Sequence, residues 1–278
     1  MDTGNFPYYY KTKHFIVLRL LFLPLLFLGT LLQAQGNDTN KYGPYSQFRV
    51  SLMPALYNKL DYENEGVELF KTSVGLGGEF VVSYGHSFWK GFGLNVGAGV
   101  GFVPYNFSFD LVTDTSSIIA GNPGTLGQTP HRSAQIIWVF PVMIEKKFLL
   151  FPDDGIFLNL EAGIKWNIKT AGNANFGGGY FAQTEDGDDV RYFEYRFMNV
   201  GENEFISYTF KAGLMKVNQR GNTFSWNMVF NRSPARLMAG TYQFNELGFE
   251  SSGTTSLYNN YIGMEMIFGL SVDKKSNH

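Results

Sequence analysis

The stretch Phe92-Gly-Leu-Asn-Val-Gly-Ala-Gly-Val-Gly-Phe102 constrains this chain more than any other feature. Phe92, Leu94, Val96, Ala98, Val100 and Phe102 alternate without a break with Gly93, Asn95, Gly97, Gly99 and Gly101. A helix would scatter the two sets around its circumference, whereas a strand, with its period of two, puts one set on each face. The segment has a bulky face and a small face, and the fold must give them different surroundings.

The pattern recurs in Tyr45–Tyr57, Thr72–Tyr84, Ala134–Lys146, Ile156–Ile168, Phe205–Val217, Thr223–Asn231 and Leu257–Leu270. Most of these eight segments run to about 12 or 13 residues, longer than the usual five or six of a soluble strand and enough to cross a bilayer with tilt. Composition agrees with an all-β chain: 27 Phe, 16 Tyr and 32 Gly favour pleated strands over helices. Charged residues are only 17% and the net charge is −2, which argues against the basic surface of a nucleic-acid binder. Cysteine is absent, so disulfides, thiolate metal sites and a cysteine nucleophile are all excluded.

The connections between segments alternate in length. Gly85–Gly91, Lys147–Gly155 and Asn218–Asn222 are short, while Asn58–Lys71, Pro104–Ser133, Lys169–Glu204 and Arg232–Ser256 are long. A barrel inserted into a membrane from one side has short turns on that side and long loops on the other. The bulky face, for example Ile136, Trp138, Phe140, Val142 and Ile144, would overfill a narrow interior, whereas the opposite face is small or polar. Aromatics gather near the strand ends, with Trp89, Phe92, Phe148 and Phe151 at the short turns and Phe102, Tyr105, Trp166, Phe205 and Tyr258 at the long loops. Two such bands resemble interfacial girdles.

The N-terminus carries Lys11, Lys13 and Arg19, an apolar run from Leu20 to Leu32, and Gln33-Ala34-Gln35. That is the pattern of an export signal cleaved after Ala34; Pro24, Gly29 and a run of about 13 residues fall short of a spanning helix. The expected organisation is a removed signal over residues 1–34, a short lead over 35–44, a barrel over 45–271 and a tail over 272–278. The expected fold is a closed antiparallel up-and-down transmembrane β-barrel of about eight strands. Phe107–Leu111 and Arg191–Phe197 also alternate and extend hairpins above the membrane, leaving ten strands as an alternative.

The segments Trp138–Phe148, Leu158–Lys165 and Tyr261–Leu270 resemble strands of the Bacteroidota-type outer-membrane β-barrel domain, the porin-family or PorT-like group. The resemblance covers most of the mature chain and implies an outer-membrane location, with outer-membrane lipids and the barrel-assembly machinery as partners. Many such barrels end on an aromatic residue, but here Ser271–His278 follows Leu270, so assembly recognition would use Phe268 and Leu270.

Candidate chemistry is sparse. His131-Arg132-Ser133 has the His-x-Ser spacing that resembles lipid A deacylases, but Glu145, the nearest downstream carboxylate, would lie some 40 Å away along the same strand at about 3.3 Å per residue. Glu185-Asp-Gly-Asp-Asp189 lacks the spaced ligands of a calcium loop, and the glycine runs Gly75–Gly78 and Gly97–Gly101 precede no helix that could cradle phosphate. No catalytic residue, metal site or cofactor is expected.

The informative set is the charges on the small face: Arg49, Glu79, Glu161, Lys165, Lys211 and Glu265. Enclosed charges must pair or neutralise, because desolvation is costly. Strand direction predicts that Arg49 meets Glu265 and that Glu161 lies near Lys211. The function expected is a non-enzymatic membrane barrel acting through its long loops on an unidentified envelope protein, with a narrow solute pore as the runner-up. A membrane-embedded lipid-modifying enzyme and a soluble lipocalin-like carrier follow.

Overall fold

The computed structural model describes residues 46–66, 70–89, 91–109, 131–170, 176–183, 189–199, 202–218, 220–244 and 251–272. Fourteen strands are present among them. Eight make the barrel: β1 (Ser46–Tyr57), β4 (Gly75–Trp89), β5 (Phe92–Phe109), β6 (His131–Phe151), β7 (Ile156–Lys169), β10 (Glu204–Val217), β11 (Thr223–Arg232) and β14 (Tyr261–Ser271). Each pairs antiparallel with the next in this order, and β14 returns to β1, so the sheet closes on itself and leaves no barrel edge unpaired. Short β3 (Phe70–Ser73) adds to the top of β5, with Phe70 opposite Phe109.

The alternation of the sequence becomes the two faces of this barrel. Along β1 the burial pattern inverts at every residue from Phe48 to Tyr57. Phe48, Leu52 and Leu56 are more than half exposed, whereas Arg49, Met53 and Tyr57 are buried. The same holds for Trp138 and Ile144 on β6, Leu214 on β10 and Phe268 on β14, all exposed. An apolar outside and a partly charged inside are the reverse of a soluble carrier barrel, and they are the faces of a transmembrane barrel.

At the short-turn end, Gly91 (φ 76°), Gly155 (φ 63°) and Gly221 (φ 81°) each adopt the left-handed conformation that lets a tight turn reverse the chain. At the other end the connections are themselves structured. Strands β2 (Asp61–Gly66), β8 (Phe176–Gln183), β9 (Asp189–Asn199), β12 (Arg236–Phe244) and β13 (Ser251–Tyr258) form a separate sheet in the order β2-β13-β12-β9-β8. Three different long connections supply them, so this outer sheet ties the loops into one element. The segment Arg191–Phe197 is part of β9 in that sheet and adds no strand to the barrel, which has eight.

Two segments read as continuous from the sequence are divided. Val74 separates β3 from β4, and Asn259-Asn260 separates β13 from β14. The asparagines hold the exit from the barrel: Asn231 Nδ2 donates to the Asn259 carbonyl at 2.6 Å, and the Ser233 amide donates to Asn260 Oδ1 at 2.7 Å. The parity of buried Leu257, Asn259 and Tyr261 runs straight through this break, which hides it from a pattern of period two.

Candidate functional site

The lumen is filled in layers. At the short-turn end Gln47 is fully buried, donating from Nε2 to the Gly221 carbonyl at 3.0 Å and accepting at Oε1 from Thr223 Oγ1 at 3.0 Å. Above it Arg49 grips Glu145, Nη1 to Oε2 at 2.8 Å and Nη2 to Oε1 at 3.0 Å. Lys147 Nζ approaches Glu145 Oε1 at 2.7 Å and donates to Ser87 Oγ at 2.9 Å. Gly85 and Gly93 make room: a Cβ on Gly85 would stand 2.6 Å from Arg49 Cζ, and one on Gly93 would fall on the Glu145 carboxylate.

The next layer joins Lys211 to Glu265 at 2.8 Å and to Glu161 at 3.5 Å, with Asn159 Nδ2 donating to Glu161 Oε1 at 2.9 Å. Arg49 Nη1 lies 3.8 Å from Glu161, which links this layer to the one below. Then Lys165 Nζ meets both Glu79 Oε2 and the Tyr261 hydroxyl at 2.5 Å, and that hydroxyl donates to Glu79 Oε1 at 2.6 Å. Each cation of the network faces a carboxylate, which is what a low-dielectric interior requires.

Above the charges the interior turns apolar. Met53, Ala55, Tyr57, Val103, Ile137 and Val139 are buried in one cluster that continues into the underside of the outer sheet. Aromatic rings roof it: Phe70 stacks on Tyr242 at 5.0 Å, and Phe107 stacks on Phe197 at 4.7 Å. Tyr105 and Phe205, placed by sequence in an outer girdle, are buried in this cluster, because they share parity with the inward residues of their strands. Phe148 is also buried, beside Lys146, whose ammonium lies 5.3 Å from its ring and 4.3 Å from that of Phe92.

All six charges singled out from sequence, Arg49, Glu79, Glu161, Lys165, Lys211 and Glu265, lie buried inside the barrel and are ion-paired. Lys211 and Glu161 are direct cross-strand partners. Arg49 does not pair with Glu265. The register sets Arg49 opposite Gly269 on β14, and the long guanidinium side chain crosses the lumen to Glu145 on β6. Glu145 and Lys147 belong to the network and were missed. The alternation of β6, with Ile144 outside, carried the signal for Glu145.

His131 is half-buried, and its ring stacks on Phe107 at 4.8 Å and contacts Tyr195 at 5.6 Å, while Ser133 is exposed. Here His131 packs against rings as part of the outer aromatic cluster. Most of the acidic segment Glu185–Asp189 lies outside the described residues. Among the described residues no group of three or more His, Asp or Glu side chains is placed to hold a metal ion.

The upper face of the outer sheet is polar and concave. It forms a cleft of about 520 Å³ lined from β2, β13, β12 and β9. Below it, Tyr242 is buried and donates its hydroxyl to Asn64 Oδ1 at 2.5 Å.

Closed, all-antiparallel, apolar outside and charge-paired inside, this is an eight-stranded transmembrane β-barrel with a filled lumen and a structured cap. No family model matches the chain, and no curated protein does. Among solved structures it is similar to the outer membrane protein OprG of Pseudomonas aeruginosa, at 10% identity and TM-score 0.39 over 82% of this chain and 95% of that one. It is also similar to a major outer membrane protein of Thermus thermophilus, at 8% identity and TM-score 0.38 over 81% and 98%. A third is the attachment invasion locus protein Ail of Yersinia pestis, solved with a heparin analogue, at 11% identity and TM-score 0.31 over 81% and 99%. Likenesses this distant say nothing of shared function, and the class of the protein rests on its own two faces.

Proposed function

We propose that the protein is an exported bacterial outer-membrane barrel that acts neither as a channel nor as an enzyme, but as an anchor presenting its outer sheet to other molecules. The carrying observation is the filled lumen. Ion pairs occupy its lower half, and Tyr57, Ile137, Val139 and the rings of Phe70 and Tyr242 close its upper half. Eight-stranded barrels have interiors just wide enough for their own side chains, and here ion pairs and an apolar cluster occupy successive levels of that interior. The alternation of turn lengths supports a periplasmic short-turn end and an external cap. The N-terminal export pattern supports passage to the envelope, and the resemblance of Trp138–Phe148 to Bacteroidota-type strands supports placement in that group. On this reading its partners are outer-membrane lipids, the assembly machinery during insertion and an envelope or surface protein.

The test is electrical. Purified protein in planar lipid bilayers is expected to show no discrete conductance steps, while a variant emptied at the cap, Phe70→Ala with Tyr57→Ala, serves as the comparison. Steady conductance of the unmodified protein would overturn the anchor reading in favour of a narrow pore.

A further inference from the structure

The outer sheet turns one face down onto the aromatic roof and the other toward solvent. Its registers order the solvent face into two rows. In one, Glu65 of β2 stands opposite Ser252 of β13, Ser252 opposite Gln243 of β12, and Gln243 opposite Glu194 of β9. In the other, Glu63, Thr254, Thr241 and Arg196 follow one another in the same way. Every member of the two rows is exposed except Ser252, which is partly so. At about 4.8 Å per strand, the charged ends of each row are some 14 Å apart. Between them lies a floor of hydroxyls and one amide, which is the cleft of about 520 Å³.

Among the described lining residues three carboxylates stand against one guanidinium, with Glu63 and Glu65 side by side on one wall, and this balance favours cations over anionic headgroups and phosphates. Among the described residues the floor exposes no aromatic ring on which a sugar could stack, since Tyr242 is buried beneath it. No metal-holding group of side chains is present among the described residues. What remains complementary is a cationic chain with backbone amides and carbonyls to satisfy: carboxylates for its charges, and Ser252, Thr254, Thr241 and Gln243 for its peptide groups.

We propose that the outward face of the outer sheet is a docking site for an extended polypeptide segment bearing lysine or arginine. The segment lies along the strands between the Glu63–Glu65 wall and the Glu194–Arg196 wall. This rests on the reading that the cap faces outward from the cell, and it names the partner's chemistry.

The experiment uses the full-length mature protein in nanodiscs of zwitterionic phosphatidylcholine. The probes are a fluorescent peptide of alternating Gly and Lys, Gly-Ser and Gly-Glu peptides of equal length, and a neutral dextran oligosaccharide. Only the Gly-Lys peptide is expected to bind, more weakly as salt rises. Glu63→Gln with Glu65→Gln should weaken it about fivefold or more, the value of two exposed ion pairs at roughly 0.5 kcal/mol each. Asp153→Asn with Asp154→Asn, at the opposite end of the barrel, should leave it unchanged. Heat-modifiable migration verifies that each variant is folded. Failure of the Gly-Lys peptide to bind, equal loss from the two double variants, or preference for the dextran would overturn the proposal. Labelling of Thr254→Cys in whole cells separates the two readings. Labelled protein that binds no peptide overturns the docking site alone, whereas protein that stays unlabelled overturns the outward cap itself.

Discussion

Arg49 of the first barrel strand and Glu145 of β6, 96 residues apart in sequence, meet across the lumen through a two-pronged ion pair at 2.8 and 3.0 Å. Gly85 and Gly93 lie against the two side chains, one beneath each. A pair so enclosed contributes little net stability compared with a well-packed apolar replacement, but losing one partner leaves a buried charge uncompensated. Glu145→Gln is therefore expected to destabilise the barrel by about 3 to 5 kcal/mol. The double variant Arg49→Met with Glu145→Gln should cost clearly less than the sum of the single changes, a coupling of about 1 kcal/mol or more. Urea unfolding from lipid vesicles measures both. Arg49→Met combined with Glu265→Gln should show a clearly smaller coupling than Arg49→Met with Glu145→Gln, because Glu265 bonds Lys211 and reaches Arg49 only through Glu161.

The glycine beneath the guanidinium provides a second test. A methyl group on Gly85 would stand 2.6 Å from Arg49 Cζ, so Gly85→Ala must push the side chain off Glu145. A loss of about 1 to 3 kcal/mol is expected in the normal background. In an Arg49→Ala background the same change should cost little. Equal costs in the two backgrounds would show that Gly85 does not serve the ion pair.

The outer sheet is held to the barrel by its rings. Phe197 of β9 is buried, stacked on Phe107 of β5, and flanked by its cross-strand partner Gly240 of β12. Phe197→Ala should remove about 3 to 5 kcal/mol of packing. The loss is expected in the cap and not in the barrel, whose hydrogen-bonded ring does not include Phe197. Limited proteolysis of vesicle-embedded protein should then cut within residues 176–199 while the barrel keeps its heat-modifiable migration. Loss of both together would make the cap and barrel one cooperative unit.

Orientation follows from the turns. Thr254→Cys and Thr241→Cys should react with an impermeant thiol reagent in intact cells, whereas Asp154→Cys and Arg220→Cys should react only after the outer membrane is permeabilised. The protein should fractionate with the outer membrane, and unboiled samples should migrate differently from boiled ones. The reverse labelling pattern would invert the topology, and recovery as a detergent-free soluble species would remove the protein from the membrane.

Alternation made the barrel legible. From Phe92 to Phe102, and in seven further segments, the side-chain pattern names both the strand and the face it turns outward, because in a strand the period of two is imposed by local backbone geometry. The left-handed glycines at positions 91, 155 and 221 occur in connections that were short in the sequence, and turn chemistry is local too. The inward parity of Arg49, Glu79, Glu161, Lys165, Lys211 and Glu265 could be read for the same reason.

What the sequence could not decide was who meets whom across a gap. Depth in a barrel depends on tilt and on the register around the whole closed ring, and a register difference of four residues puts Arg49 opposite Gly269 rather than opposite Glu265. The outer sheet depends on the pairing of β2 with β13 and of β9 with β12, strands drawn from three separate connections, and none of these short strands carries the identity of its neighbour. The break at Asn259-Asn260 is also tertiary, because the hydrogen bonds that hold it come from Asn231 and Ser233 in another part of the chain. Local pattern thus determined the strands and their faces, while closure of the ring decided the ion pairs, the filled lumen and the cap, since each depends on positions that only the assembled barrel brings together.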